Sequence, residues 1–230
     1  MGIDASQQKA AKVAGVAYLI TFATVVSINF GIHARLILAD SAQTAKNILA
    51  HEPLFRAGMA GDLLYCAGVI VLLTALYVIF RPVSRGLALL AALWRLVWVL
   101  MWLLMTLNLF DALKLLRGAD YLRAFEADRL QAWARFYLGT SFDYYYVGLL
   151  FGALASTLCG YLWLKSGYVP RALAVLGVVS SAFCVVCTVL FYIFPNFDQV
   201  VNLWWFDTPM GIFDIALSFW LLFKGLAEPA

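Results

Sequence analysis

Residues 87–110 read LALLAALWRLVWVLMWLLMTLNLF, and Arg95 is the one charged residue among them. A helix rises 1.5 Å per residue, so about 20 predominantly apolar residues cross the roughly 30 Å hydrocarbon core of a bilayer. This stretch meets that length. It therefore predicts a transmembrane helix, and it makes lipid the solvent of this part of the fold.

The rest of the chain has the same character on both sides of this stretch. It is 64% hydrophobic and only 13% charged, with a mean hydropathy of +0.88, which is well outside the composition of water-soluble domains. We predict an all-α integral membrane protein, a six-span transmembrane helix bundle that follows a polar cytoplasmic tail at residues 1–12. The spans form a single domain at residues 13–226 and lie at about residues 13–33, 57–80, 87–110, 136–164, 172–194 and 209–226.

The connections between the predicted spans differ in charge. The short turns 81–86 and 165–171 hold four basic residues and no acidic one, which is typical of cytoplasmic loops. An even number of spans then places the N-terminal tail and the C-terminal end, with Lys224, on the cytoplasmic side. The net charge of +3 is small and spread over the loops, so it does not indicate nucleic-acid binding.

Two of the opposite, outer loops contain apolar residues spaced among polar and charged ones. Residues 41–56 include Phe55 in such a pattern, and residues 120–135 include Trp133. This spacing is typical of a helix with one apolar face. We therefore predict two amphipathic interfacial helices, one in each of these outer loops.

Several separated segments of the sequence resemble a bacterial membrane family known as domain of unknown function 4386. These segments are NILAHEPLFRAG at 47–58, LYVIFRPV at 76–83, GYL at 160–162, SGYVPR at 166–171 and FWLLFKG at 219–225. The resemblance covers nearly the whole chain. It implies a six- or seven-span protein of the bacterial cytoplasmic (inner) membrane, and it carries no activity and no catalytic residues.

Three carboxylates lie inside predicted spans, where each charge costs about 2.5 to 3.5 kcal/mol on insertion scales. Asp62, Asp143 and Asp214 occur on spans 2, 4 and 6, each about 8 to 10 Å below the outer surface. Helical side chains tilt toward the N-terminus of their helix, so all three are expected to point outward into a shared vestibule, where they could share a proton or a cation. The alternative is that they reach the interface or pair with loop arginines such as Arg56 and Arg135.

One predicted span also carries a cation near its middle. Arg95 shares a helix face with Trp98 and Trp102. Stacking on indole rings would offset the desolvation of the guanidinium, which could then recognise an anionic or carbonyl-bearing ligand. The alternative is a structural arginine that bonds to polar groups on neighbouring helices.

The four cysteines include one close pair, Cys184 and Cys187. A Cys-x-x-Cys pair on one helix face favours a thiol oxidoreductase, and it is the redox alternative for this chain. However, Cys66 and Cys159 are isolated on other spans, and no cation adjoins the pair. Free cysteines also serve as small apolar packing residues.

The two histidines do not predict a metal or cofactor site. His33 and His51 both lie near the outer surface, and they provide neither paired haem ligands within spans nor three or four zinc ligands at fixed spacing. We therefore predict no metal and no cofactor.

Small residues recur every four positions on the fourth span. They are Gly148, Gly152, Ser156 and Gly160. Such a row lets helix backbones approach closely, either inside the bundle or against a second membrane-protein subunit, including another copy of the chain.

The leading functional hypothesis is binding of a small amphiphile or lipid in an outward-facing polar cavity of the bundle. Its polar contacts would be Asp62, Arg95, Asp143 and Asp214, with Trp98 and Trp102 beside the arginine. The first alternative is an intramembrane enzyme, either the thiol oxidoreductase or a carboxylate acid–base catalyst. The second is an accessory subunit of a membrane complex. The sequence leaves open whether the protein is an enzyme, and it identifies no catalytic residue.

Overall fold

The computed structural model describes residues 3–38, 40–118, 125–194, 196–201 and 205–228, and it contains no strand within these ranges. A π-helical segment, Asn29–His33, joins the first two α-helices. The α-helices are α1 Ala5–Ile28, α2 Ala34–Leu36, α3 Ser41–Ala50, α4 Glu52–Phe80, α5 Arg85–Arg117, α6 Ala127–Ser166, α7 Arg171–Ile193, α8 Phe197–Val200 and α9 Thr208–Phe223.

Five helical stretches of the described chain are long and apolar enough to cross a membrane. They are Ala5–Leu36, Glu52–Phe80, Arg85–Arg117, Asp128–Ser166 and Arg171–Ile193. This confirms the prediction of an all-helical fold with several membrane-length apolar helices. The sixth predicted span corresponds to α9, which is shorter at 16 residues.

Each of these stretches exposes large apolar side chains, as expected where the solvent is lipid. The exposed side chains include Ile20, Leu64, Leu107, Phe142 and Val179, and Leu64 reaches an exposed fraction of 72%. In water, so much apolar surface would cause association. The helix surfaces therefore agree with the apolar composition.

The helices in the predicted outer loops differ from the sequence prediction in their bounds. α3 is a separate helix, and Asp40 caps its start by accepting a hydrogen bond from the Gln43 backbone N–H at 3.0 Å. It ends at Ala50, because Glu52 already begins α4 with Pro53 in its first turn, a favourable position for proline.

The second predicted loop helix is not separate in the structure. Residues 127–135 are the first turns of α6, because no proline interrupts the helix before Ser166. Residues 120–124 of that prediction lie outside the described residues.

The chain forms two compact units. Unit 1 comprises Met1–Phe22, Gly68–Val99 and Val147–Ala230. Its core contains a face of small residues on α1 together with large side chains from the other helices: Ala11, Ala14, Ala17, Leu72, Trp163, Phe213 and Leu217. Unit 2 comprises Ala23–Ala67 and Leu100–Tyr146, and its core includes Ile48, Phe55, Met59, Leu109 and Leu113.

Hydrogen bonds join both ends of the chain to helix ends within unit 1. The Gln7 side-chain amide donates to the Ile79 carbonyl at 3.1 Å and to the Tyr168 hydroxyl at 3.2 Å. The Gln8 side-chain amide donates to the Leu226 carbonyl at 2.9 Å, and the Leu226 N–H donates to the side-chain oxygen of Gln8 at 3.1 Å. The start of α1, the end of α4, the α6–α7 turn and the C-terminal segment therefore meet at one end of unit 1.

Candidate functional site

Asp62, on α4, is the most deeply buried ionisable residue among the described residues of unit 2. It has an exposed fraction of 0%. Its Oδ1 accepts a hydrogen bond from the indole Nε1–H of Trp102 on α5 at 3.1 Å. Its Oδ2 is also buried and has no hydrogen-bond partner within the described part of the chain. Two of the predicted site residues, Asp62 and Trp102, are thus in direct contact.

The free oxygen of Asp62 faces a histidine that the sequence analysis did not assign to a site. His33 ends the π-helical segment, and its Nε2 lies 3.7 Å from Asp62 Oδ2. That distance is beyond a hydrogen bond, and Nε2 has no other partner among the residues described. Two buried polar atoms therefore face each other without bonding.

A π-helical segment and two glycines bring His33 to this position. π-helical turns are rare and occur frequently at functional sites. A Cβ atom on Gly58 would lie 3.1 Å from His33 Nε2, and one on Gly61 would lie 2.6 Å from Ile28 Cδ1. A side chain at Gly58 would press on the His33 imidazole, and one at Gly61 would displace the tip of the Ile28 side chain.

Aromatic rings surround the Trp102 side of Asp62. The rings of Tyr65 and Tyr145 lie 4.4 Å and 5.8 Å from the Trp102 ring, measured between centroids. We call His33, Asp62, Trp102, Tyr65 and Tyr145 the Asp62 cluster. It holds a carboxyl group inside a largely aromatic shell of unit 2.

Arg95, on α5, is the corresponding buried charge of unit 1, with an exposed fraction of 7%. Its guanidinium donates a hydrogen bond to the Ser156 hydroxyl on α6 at 3.0 Å. It also interacts electrostatically with Tyr18 on α1, Cys159 on α6 and Asp214 on α9. The arginine, on α5, is thus connected to three other helices of its unit.

Arg95 also lines a small open-sided cleft of unit 1, which we call the Arg95 cleft. Together with the open region at its mouth, the cleft has a space of about 200 Å³. Apart from Arg95, its walls are Leu73, Leu76, Tyr77 and Phe80 of α4, Ala88, Ala91 and Ala92 of α5, and Cys159 of α6. Most of these lining side chains are therefore apolar, and Arg95 is the one charged residue among them.

The other predicted site residues have different surroundings. Asp214 is partly buried in unit 1, and its Oδ1 is enclosed without a hydrogen-bond partner among the described residues. Asp143, on α6 in unit 2, is exposed. Trp98 is buried and packs beside Gly152, where a Cβ atom would lie 3.3 Å from its ring. A shared vestibule of three aspartates stays a prediction.

The four cysteines are free and buried in the structure. Cys184 has an exposed fraction of 0% and Cys187 of 6%. The described residues contain no group of three or more histidine, cysteine, aspartate or glutamate side chains placed to hold a metal ion.

The row of small residues on α6 makes contacts inside unit 1. Ser156 accepts the hydrogen bond from Arg95, and a Cβ atom on Gly160 would lie 2.9 Å from the backbone nitrogen of Val178 on α7. Close packing of helix backbones thus explains the small residues at these positions. Association of a second protein through Gly148, Gly152, Ser156 and Gly160 stays a prediction.

The helix set and its exposed apolar surfaces are those of a multi-pass helical membrane protein. The family model described as "Domain of unknown function (DUF4386)" matches residues 13–225. The chain therefore belongs to this family, as its sequence segments had indicated. No curated protein and no solved structure matches it.

Proposed function

We propose that the protein binds a small amphiphile in the Arg95 cleft, with the anionic or carbonyl-bearing head of the ligand against the Arg95 guanidinium. The observation that carries this proposal is a buried arginine in the wall of an otherwise apolar cleft. Ligand sites commonly combine apolar walls with a few polar groups that fix the orientation of the ligand. An arginine suits a carboxylate or phosphate because it presents several N–H donors in one plane.

The size of the cleft limits what it can hold. The space of about 200 Å³ includes the open region at its mouth, so the enclosed part is far smaller than the roughly 300 to 1,000 Å³ of sites that enclose a drug-sized molecule. We propose that only the head of an amphiphile enters the cleft, with the lining side chains moving to admit it, and that the tail stays in the surrounding lipid. We therefore favour a single-chain anionic amphiphile such as a fatty acid.

This proposal is narrower than the one made from the sequence. Of the predicted contacts, Arg95 lines the cleft, whereas Asp62, Asp143, Asp214, Trp98 and Trp102 do not. No carboxylate of the described residues lines the cleft, although Asp214 interacts electrostatically with Arg95 from outside the lining. The cleft also lies between the second half of α4 and the first half of α5, beside the basic turn 81–86. That turn is predicted to be cytoplasmic, whereas the cavity predicted from the sequence opens to the outer side.

We further infer that α9 is the sixth span. α7 begins just after Tyr168 and runs away from that end of unit 1, yet Leu226, after α9, bonds to Gln8 at the same end. The chain has to return along α9. At 1.5 Å per residue its 16 residues extend about 24 Å, and Lys224–Leu226 lengthen this path.

An even number of spans supports the orientation proposed from the basic turns. Both termini would then share the side of turns 81–86 and 165–171, which the positive-inside rule assigns to the cytoplasm. We propose a bacterial inner-membrane location with cytoplasmic termini on this basis and on the family resemblance. The Arg95 cleft would then lie at the cytoplasmic end.

The experiment compares two photoreactive probes on the purified protein in phosphatidylcholine nanodiscs. One probe is a fatty acid with a diazirine near its carboxylate, and the other is the fatty alcohol of the same chain. We expect the acid to label α4 and α5 peptides that line the cleft, and Arg95→Gln to reduce this labelling about tenfold, since a hydrogen-bonded charge contributes about 1.5 to 3 kcal/mol. Arg95→Lys, which keeps the charge, should retain part of it.

Arg85→Gln is the matched control, because Arg85 is an exposed arginine at the start of the same helix. It should label like the wild type. Equal labelling by the acid and the alcohol in the wild type would overturn the proposal without any variant, and so would full labelling of Arg95→Gln. The thiol oxidoreductase and the accessory subunit stay predictions, tested by replacing both Cys184 and Cys187 with serine and by crosslinking in native membranes.

A further inference from the structure

We propose that His33 and Asp62 form an intramembrane proton-binding site, in which one proton taken up by the pair closes the 3.7 Å gap between Nε2 and Oδ2 with a hydrogen bond. This site lies in unit 2 and is independent of the Arg95 cleft. Its ligand is a proton, and the two facing atoms are its acceptors.

The geometry of the two atoms is the first support for this proposal. Both are buried, each lacks a hydrogen-bond partner within the described part of the chain, and they face each other. A buried polar group without a partner loses its hydrogen bonds to water without replacement, so two such atoms are unusual in a well-packed core. A small rotation of the imidazole would bring them within bonding distance once a proton lies between them.

The charge of the pair is the second support. A neutral imidazole and a carboxylate together carry one negative charge, which is unfavourable in a low-dielectric core. Uptake of one proton makes the pair neutral, whether the proton remains on Asp62 or forms an imidazolium carboxylate pair. Within the described ranges, no lysine or arginine lies within salt-bridge distance of Asp62 to neutralise it instead.

The titratable groups that face the pair from the surrounding helices do not neutralise it. Cys66 lies one turn along α4 and interacts electrostatically with Asp62. The hydroxyl-bearing Tyr65 and Tyr145 contact the pair through the Trp102 ring. The Trp102 indole donates to Oδ1 and leaves Oδ2 for the proton.

A proton can reach this pair because His33 is not fully enclosed. Its side chain is 12% exposed, against 1% for Asp62, and it lies three residues before the end of the apolar stretch Ala5–Leu36. Imidazoles exchange protons near neutral pH. His33 is therefore the more accessible of the two groups, and we take it as the one through which a proton reaches the buried carboxyl group.

The test uses histidine labelled with ¹⁵N and infrared spectroscopy of the full chain in lipid nanodiscs. The chain contains two histidines, so His51→Gln assigns both imidazoles. At about pH 7 we expect one of two signatures: an imidazolium His33, or a neutral His33 together with a carboxylic-acid band. Either signature should be lost in Asp62→Asn, while the exposed His51 is unchanged.

A neutral His33 without a carboxylic-acid band would overturn the proposal, because the pair would then hold no extra proton. So would identical His33 spectra in the wild type and Asp62→Asn between about pH 5 and 8. If Asp62→Asn does not fold, Asp62→Glu keeps the carboxyl group and should shift the band. Asp111→Asn is the control, since Asp111 is a half-exposed aspartate that pairs with Lys114.

Discussion

Gly177, on α7, shows how closely helices of unit 1 pack. A Cβ atom at this position would lie 2.5 Å from Cζ of Phe213 on α9, and Phe213 is 2% exposed. An aromatic ring cannot bend away as the tip of an aliphatic chain can. We expect Gly177→Ala to destabilise the protein by about 1 to 3 kcal/mol, the usual cost of overpacking, as measured by thermal unfolding in a neutral detergent.

A second variant assigns this effect to the contact with Phe213. Phe213→Leu makes room for the added methyl group, so the double variant should be more stable than the sum of the two single changes predicts. Gly86→Ala is the control, because Gly86 lies in α5 with open space around its Cβ position. If the effects of Gly177→Ala and Phe213→Leu on stability were additive, the destabilisation by Gly177→Ala would not come from a clash with Phe213.

At the level of single residues, the sequence singled out charges inside apolar segments; the structure buries Asp62 and Arg95 but exposes Asp143. The sequence did not predict the partners of the buried charges. Asp62 and Arg95 are identified by apolar surroundings alone, because charges inside spans need a reason. Trp102 and Ser156, their bonding partners, are 40 and 61 residues away along the chain, so they depend on how helices pack. His33 was not predicted as a site residue because it lies near the end of an apolar segment and gives no ligand spacing.

The π-helical segment at the end of α1 is the element that positions His33. Its signature is the bond from the Ala34 N–H to the Asn29 carbonyl, five residues apart, which rotates the following side chains relative to an α-helix. Gly58 leaves room for the imidazole, since a Cβ there would lie 3.1 Å from Nε2. We expect Gly58→Ala to displace the imidazole and shift the ¹⁵N resonances of His33, while those of His51 remain.

The stability of Gly58→Ala should change by less than about 1 kcal/mol, because the higher helix propensity of alanine offsets the crowding. Gly31→Ala is the matched control: Gly31 lies in the same π-helical segment, and its Cβ position is open. Unchanged His33 resonances in Gly58→Ala would mean that this glycine does not position the imidazole.

At the level of elements, hydrophobic length predicted where the long helices lie but not where they end. The spans predicted at 87–110 and 136–164 became the helices Arg85–Arg117 and Ala127–Ser166. Apolar length measures the part inside lipid, whereas helices continue into water wherever no proline or glycine ends them. At Ser166 the helix does end, since the following Gly167 adopts a φ of +66°, a conformation that favours glycine.

For the whole molecule, the number of crossings determines which sides the two termini occupy. The hydrogen bonds of Gln7 and Gln8 to Tyr168 and Leu226 favour an even number, because they hold both termini at one end of unit 1. Basic turns alone predicted the same arrangement. If α9 did not cross, Glu228 and the turn at Ser84 would face opposite sides of the membrane.

Labelling of introduced cysteines with a membrane-impermeant maleimide separates these two cases. The native cysteines are buried, so the wild-type chain should give no signal. We expect Gln43→Cys, on the exposed face of α3, to be labelled in intact cells, and Ser84→Cys and Glu228→Cys to be labelled only after permeabilisation. Labelling of Glu228→Cys in intact cells, with Ser84→Cys still protected, would show an odd number of crossings and would exclude α9 as a span. The Ser84→Cys result alone decides on which side of the membrane the Arg95 cleft lies, because Ser84 follows α4 at the end where that cleft is found. Labelling of Ser84→Cys in intact cells would place the proposed amphiphile site in the outer leaflet.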